Sequence, residues 1–293
     1  MGYSRHRTSV ISKVLTALYG RGAPRPVEVR RASWPEVLRC LRRAQVPLEG
    51  AGDALRRAGF WAEALAFEAP GLMSWADALV EEERVLTAAD ASYPLRWARV
   101  LGAAAPPVLY RSGPMSGAPC VSVVGSRAIP RGVARFCAQV GEEAARLGFA
   151  LVSGAAAGCD SAAAAGAIRA GGEVIELLPH GDLGRGGPGV CRLSVCAPGE
   201  EFSSATAMER NALIYAFSAF TVVGAARFKE GGTWHGAVHA SRRRLSSLLV
   251  RECEDIAMRA LASLGGAWLS SPAELGAAMR SQPGQAALFD MAL

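Results

Sequence analysis

The sequence has no apolar stretch long enough to cross a membrane. Such a segment needs about 20 predominantly apolar residues, and no run of that length in the 293 residues is free of charge. The first ten residues, MGYSRHRTSV, are charged and lack the apolar core of a secretory signal. We therefore expect a cytoplasmic protein without a membrane partner.

Cysteine is present, but not in the spacings of a disulfide framework or a zinc site. The seven cysteines form an odd set without a CxxC pair. His235 and His239 stand four residues apart, but no third ligand lies nearby and the glutamate of an HExxH motif is missing. The sequence predicts reduced thiols and no metal site.

Two common nucleotide-binding signatures are also missing. There is no GxGxxG motif followed by an acidic ribose partner and no GxxxxGK[ST] loop. This disfavours NAD binding and ATP hydrolysis of the P-loop type, so we expect no cofactor. What the sequence does have is 51% hydrophobic and 20% charged residues, enough for a packed core, and a net charge of +6 that mildly favours polyanionic partners.

The first part of the chain, to about Leu86, has helical periodicity. Ser33 as N-cap and Pro35 in the first turn mark one helix start. The segment Leu48 to Gly59 fits either an ordinary helix-helix turn or a helix-hairpin-helix, in which a glycine turn brings backbone amides to a phosphate. The predicted helices are Ser9 to Tyr19, Trp34 to Ala44, Leu55 to Phe67 and Trp75 to Leu79.

From Pro107 onward, short apolar runs alternate with amphipathic helices. This alternation predicts an α/β fold with a parallel sheet and helices on both faces, preceded by a small all-helical module. The Gly-rich link from Pro179 to Thr206 lacks clear periodicity. The predicted strands are Val108 to Arg111, Cys120 to Val124, Ala150 to Ser153, Val174 to Leu178, Cys191 to Val195, Phe220 to Gly224 and Ser246 to Arg251, with a short one near Trp268.

Three strand-to-helix junctions combine glycines with hydroxyl or guanidinium groups. Carboxyl ends of parallel strands meet at one edge of a sheet, where helix amino termini point amides at a ligand. Each junction alone is explained by a tight turn, but together they predict a phosphate-binding crevice. The candidate residues are Gly125, Ser126, Arg127, Ser153, Gly154, Gly158, Gly231, Gly232 and Thr233.

The order of several motifs from Tyr93 to Arg251 resembles one family. YPLRW, PPVLYRSG, VSVVGSR, ALVSGAAAGCD, MERNALIYAFSAFTVVGAA and GGTWHGAVHA follow one another, as in the DNA-processing protein A family (DprA, also called Smf). The resemblance implies an extended Rossmann-like domain that binds single-stranded DNA without catalysis, forms a homodimer and loads a RecA-type recombinase in natural transformation. It also implies that Arg127, Arg210 and Asn211 surround the DNA phosphates.

The domain boundaries follow from these patterns. We expect a helical module over residues 1–90, the Rossmann-like domain over 91–275 and a tail over 276–293. In the tail, Gln285, Leu288 and Phe289 fit the QxxLF pattern of peptides that bind bacterial sliding clamps.

The alternative function is nucleotide sensing or cleavage. Related phosphoribohydrolases, which act on nucleoside monophosphates, carry a PGGxGTxxE motif. Aligning Gly232 and Thr233 with its GT pair places Gly236 at the catalytic glutamate, and glycine has no proton to exchange. Glu230 is then the fallback acid.

Four further side chains near the junctions have two interpretations each. Phe228 and Trp234 either stack on bases or pack in the core. Cys159 is expected to be a packed thiol rather than a nucleophile, and Asp160 an N-cap or first-turn carboxylate.

Overall fold

The computed structural model describes residues 2–281, with side chains from Val10 onward. The chain divides into two compact units. The first contains the residues up to Ser112 together with 180–182 and 194–201, and the second contains 113–179, 183–193 and the chain from Phe202. No helix in the described part is long and apolar enough to cross a membrane.

The first unit is mainly helical. Its core is built from residues spaced along the inner faces of the helices, including the fully buried Val14, Leu18, Val37 and Leu55. One antiparallel strand pair, β1 with β2, completes it. The elements are α1 (Gly2–Tyr19), α2 (Trp34–Ala44), α3 (Ala51–Arg57), α4 (Trp61–Phe67), α5 (Leu72–Glu81), β1 (Val85–Thr87), α6 (Leu95–Leu101) and β2 (Val108–Ser112).

Three predictions for this unit need correction. The helix predicted from Leu55 to Phe67 is two helices, because Gly59 has a φ of +85° that ends α3 before α4 begins. Ser33 does not cap α2, since its hydroxyl lies 2.6 Å from both the carbonyl oxygen of Arg30 and a carboxylate oxygen of Glu63, and its single proton goes to one of these acceptors. The predicted helical region extends too far, because its last residues belong to β1.

The second unit is a parallel α/β sheet. Its strands are ordered β6-β5-β4-β3-β7-β8-β9, and each neighbouring pair is parallel. The strands are β3 (Cys120–Val124), β4 (Ala150–Ser153), β5 (Val174–Leu177), β6 (Val190–Ser194), β7 (Phe220–Val223), β8 (Ser247–Arg251) and β9 (Ala267–Leu269). The helices are α7 (Arg131–Arg146), α8 (Cys159–Arg169), α9 (Ser204–Phe217), α10 (Gly231–Arg243), α11 (Ile256–Ser263) and α12 (Leu275–Arg280).

The strand order changes direction between β3 and β7. From β3 the chain adds β4, β5 and β6 on one side, then returns to place β7, β8 and β9 on the other. Since parallel crossovers are right-handed, the two halves place their helices on opposite faces of the sheet. The loops after β3 and β7 therefore diverge, and they leave a crevice at the topological switch point. The predicted α/β fold with helices on both faces is confirmed.

Candidate functional site

A cleft of about 520 Å³ lies at this switch point of the second unit. Its walls come from the loops that follow β3, β4 and β7, from one side of α9 and from the first turns of α8 and α10. Of the predicted residues, Gly125, Ser126, Arg127, Arg210, Asn211, Gly231, Gly232 and Thr233 line it.

The loops at the cleft are hydrogen-bonded to one another. The amide of Ser126 donates to the carbonyl oxygen of Ala225 at 2.9 Å, which joins the loops after β3 and β7. The amide of Cys159 donates to the carbonyl oxygen of Ser126 at 3.2 Å, which joins the start of α8 to the same loop. Backbone bonds therefore fix the floor of the cleft.

Two predicted glycines are required by this close packing rather than by a ligand. A Cβ atom at Gly125 would overlap Cys159 Sγ. Gly158 has a φ of +83°, and a Cβ atom there would overlap the carbonyl oxygens of Ser126 and Arg127. Gly158 does not line the cleft, and neither do Ser153 and Gly154, which are buried behind it.

Asp160, in the first turn of α8, is 5% exposed and faces back toward these loops. Its carboxylate accepts from the amide of Gly154 at 2.8 Å, and Ala156 and Gly125 also donate to it. Burial raises the pKa of Asp160 to about 6, although these bonds and the charge of Arg210 act in the opposite direction. Asp160 is thus a first-turn carboxylate, as predicted, that holds two loops together.

Arg210 is buried in α9 at 7% exposure. Its Nη1 atom donates to the carbonyl oxygens of Gly154 at 2.5 Å and Leu177 at 2.6 Å, and its Nε donates to Asn211 Oδ1 at 3.2 Å. Burial lowers the pKa of Arg210, while the charge of Asp160 opposes that shift. These bonds give Arg210 a role in tying α9 to the ends of β4 and β5.

Arg127 differs from Arg210 both in burial and in hydrogen bonding. It is exposed, and among the described residues its guanidinium has no hydrogen-bond or ion-pair partner. It lies near enough to Arg210 for its positive charge to lower the pKa of Arg210 further. An exposed, unpaired guanidinium at the wall of a cleft is available to an anion.

The amino terminus of α10 forms the opposite wall. Gly231 begins this 13-residue helix with a φ of +72°, and no side chain caps it. Asn211 is close by, since a Cβ atom at Gly232 would lie 3.1 Å from its Nδ2 atom. The free amides of the first turn and the positive end of the helix dipole therefore face the same cleft as Arg127.

Among the lining residues that escaped the sequence analysis, Phe202, Met208 and Arg227 are the most exposed large side chains. Phe202 and Met208 are 57% and 73% exposed apolar side chains beside α9. Arg227 pairs with Glu230 at 3.6 Å at the surface of the cleft. Phe202 and Met208 could not be predicted, because single exposed apolar residues do not follow a helical or strand periodicity. Arg227 could have been predicted, because it lies four residues after β7, in a loop at the same edge of the sheet as the other candidates.

The aromatic pair beside the cleft packs on itself. Trp234 is 8% exposed and meets Phe228 edge to face, with ring centroids 4.9 Å apart. Cys159 is fully buried. The pKa of its thiol is raised mainly by its contact with Cys137 and, to a smaller extent, by burial. Both observations favour the packing interpretation for Trp234 and Cys159.

Gly236 leaves no room for the glutamate of the phosphoribohydrolase motif. A Cβ atom there would lie 2.8 Å from the ring of the buried Tyr215. The carboxylates that line the cleft are Asp160, which is bonded to loop amides, and Glu230, which is paired with Arg227. Both carboxylates therefore already have partners within the protein.

The fold and cleft define a Rossmann-like α/β protein with a crevice at the switch point of its sheet, and the exposed Arg127 and the amino terminus of α10 line that crevice. Residues 84–184 match the model of the DNA recombination-mediator protein A family. This match spans 101 of the 293 residues of the chain.

Solved structures support the same fold. The chain is similar to DNA processing protein A of Streptococcus pneumoniae, with 20% identity, a TM-score of 0.64 and coverage of 92% of this chain and 97% of that one. It is also similar to DNA processing protein A of Helicobacter pylori, a single-stranded DNA-binding protein, with 20% identity, a TM-score of 0.51 and coverage of 57% and 84%. A comparison with the sequences of curated proteins gives no match.

The predicted clamp-binding residues Gln285, Leu288 and Phe289 lie outside the described residues.

Proposed function

We propose that the chain binds single-stranded DNA in the cleft of the second unit, without catalysis. Arg127, Ser126 and the first turn of α10 hold a phosphate, and Asn211 and Thr233 lie beside it. The exposed Phe202 and Met208 offer apolar surface to the sugar or base.

One observation carries the proposal. Of the two predicted arginines, Arg210 is buried and hydrogen-bonded to protein carbonyls, whereas Arg127 is exposed and has no partner in the described part of the chain. A guanidinium held unpaired beside an uncapped helix amino terminus favours an external phosphate. DNA processing protein A of Helicobacter pylori, which has a similar fold, binds single-stranded DNA, and this supports the choice of nucleic acid.

The finer parts of the proposal follow from the family. We infer that the chain forms a homodimer and passes the bound strand to a RecA-type recombinase, and that Gln285, Leu288 and Phe289 engage a sliding clamp. The match of residues 84–184 to the DNA recombination-mediator protein A family supports the first two inferences, and the QxxLF spacing supports the third.

The test of DNA binding is the salt dependence of Arg127→Ala. Each phosphate contact to a single strand contributes a slope of about 0.7 to the plot of log K against log salt. We expect Arg127→Ala to weaken binding to oligonucleotides of every sequence and to reduce the slope by about this amount. The measurement is fluorescence anisotropy at a series of salt concentrations from about 50 to about 300 mM.

The control is Arg169→Ala. Arg169 is exposed and pairs with Glu142 near the carboxyl end of α8, at the other edge of the sheet. It should leave affinity and slope unchanged. An unchanged slope in Arg127→Ala would remove Arg127 from the interface.

The second candidate is a mononucleotide ligand. A volume of about 520 Å³ with a cationic wall and an apolar wall suits one nucleotide. Calorimetry with nucleoside monophosphates and with an oligonucleotide separates the two functions, because a sensor prefers the small ligand and a strand binder the long one.

A further inference from the structure

A second concave surface lies in the first unit, between α2 and α3. This α2–α3 groove has a volume of about 610 Å³. Its charged lining is Glu36, Arg39, Arg43 and Arg57, and Val46 and Phe60 are among its half-buried apolar lining.

Arginines on these two helices fall into two groups. Arg39 pairs with Glu36 at 3.0 Å, and Arg56 pairs with Asp53 at 2.9 Å and with Glu68. Arg43 and Arg57 are exposed and have no hydrogen-bond or ion-pair partner in residues 2–281. The one carboxylate that lines the groove, Glu36, is already bonded to Arg39.

The helix dipole does not explain this arrangement fully. A cation in the last turn of a helix interacts favourably with the dipole of its own helix. That accounts for Arg43 at the end of α2 and for Arg57 at the end of α3 separately. It gives no reason for both cations to line one groove, whose charged lining of three arginines and one glutamate carries a net positive charge that attracts an anion.

The chemistry of the groove selects the class of anion. Guanidinium forks bind phosphate oxygens in a bidentate manner and stay charged at all physiological pH values. The half-buried Val46 and Phe60 provide apolar surface beside the cations, as a sugar or base requires. The amide of Gly50 in the intervening turn donates to Pro47, so the turn does not present that amide to a ligand.

We propose that the α2–α3 groove binds the phosphodiester backbone of nucleic acid through Arg43 and Arg57, as a second contact surface separate from the cleft of the α/β unit. The proposal rests on the proposed DNA binding of this chain. It assigns to the helical unit a share of the affinity and of the salt dependence.

The experiment uses the full chain with both substitutions, Arg43→Gln and Arg57→Gln, in one protein, which is the groove variant. With a 30-nucleotide single strand, we expect the salt slope to fall by about 1.4, and with the matching duplex by about 1.8, if both arginines contact phosphates. Arg30→Gln is the matched control, because Arg30 is exposed and unpaired in the same described region but does not line the groove. Circular dichroism and thermal unfolding establish that the variants fold.

The outcomes separate this proposal from the proposed function. If the groove variant keeps the wild-type slope on both probes while Arg127→Ala lowers it, the groove proposal is overturned and the cleft remains. If only the groove variant lowers it, the cleft assignment fails. If Arg30→Gln lowers the salt slope as much as the groove variant does, the effect is one of general charge and the groove proposal is overturned. The proposal is also overturned if the groove binds polyglutamate, and not DNA, through Arg43 and Arg57.

Discussion

The cleft of the α/β unit and the α2–α3 groove are built in different ways. In the cleft, backbone loops are bonded to one another, and the buried Asp160 and Arg210 fasten them from behind. In the groove, exposed arginines project from two helix surfaces that are held by an apolar core. The comparison indicates that substitutions of the buried groups behind the cleft lower the stability of the fold, whereas substitutions of the exposed arginines in either surface lower binding alone.

The largest effect should come from Arg210→Met. The substitution leaves the carbonyl oxygens of Gly154 and Leu177 without their donor and removes the charge that compensates Asp160. We expect the free energy of unfolding to fall by about 3 to 5 kcal/mol in urea titrations. Arg127→Met should change it by less than about 0.5 kcal/mol, as is usual for exposed residues. An equal loss of unfolding free energy in the two variants would contradict a structural role for Arg210 and an exposed, unpaired position for Arg127.

The next effect compares two glycines with nearly equal φ angles. Gly158→Ala should cost about 3 kcal/mol or more, because a left-handed φ of +83° is combined with overlap against two carbonyl oxygens. Gly59→Ala in the helical unit has a φ of +85° but open space around it, so only the strain of about 1 to 2 kcal/mol remains. Chemical denaturation of both variants measures the difference, and similar costs would mean that the loops do not pack as closely as described.

A smaller effect depends on pH. The pKa of Asp160 is about 6 in the folded protein, above its ordinary value of 3.8. A raised pKa stabilises the fold below the unfolded pKa, and this contribution is lost as pH rises through about 6. Relative to Asp160→Asn, which keeps an oxygen to accept from Gly154, the wild type should gain about 2 to 3 kcal/mol between pH 8 and pH 4. A difference that is flat over this range, measured by urea unfolding, would show that Asp160 titrates normally.

The sequence predicts the strands of the α/β unit well because they are continuous apolar runs between turn residues. Cys120–Val124 and Ala150–Ser153 agree with prediction to the residue. The helix Trp34–Ala44 also agrees, since its apolar periodicity is strong. By contrast, β1 has three residues, too few to show any periodicity, and the break at Gly59 depends on an angle that a helical pattern does not reveal.

The site is predictable in position but not in the role of each residue. Junction glycines and Arg127 identify the edge of the sheet at which the cleft forms. The burial of Arg210 is not visible in the sequence, because it depends on carbonyl groups from β5 and from the loop after β4, far apart along the chain. The Gly-rich link from Pro179 to Thr206 likewise gives no sign that residues 180–182 and 194–201 belong to the first unit.

The edge-to-face contact of Phe228 with Trp234 supplies an optical reporter inside the molecule. The indole of Trp234 lies in the first turn of α10, next to Thr233. A ligand that shifts this turn changes the polarity around the ring and therefore its emission wavelength. With the other tryptophans of the six replaced by phenylalanine, occupancy of the crevice becomes readable by intrinsic fluorescence, without a dye on either partner.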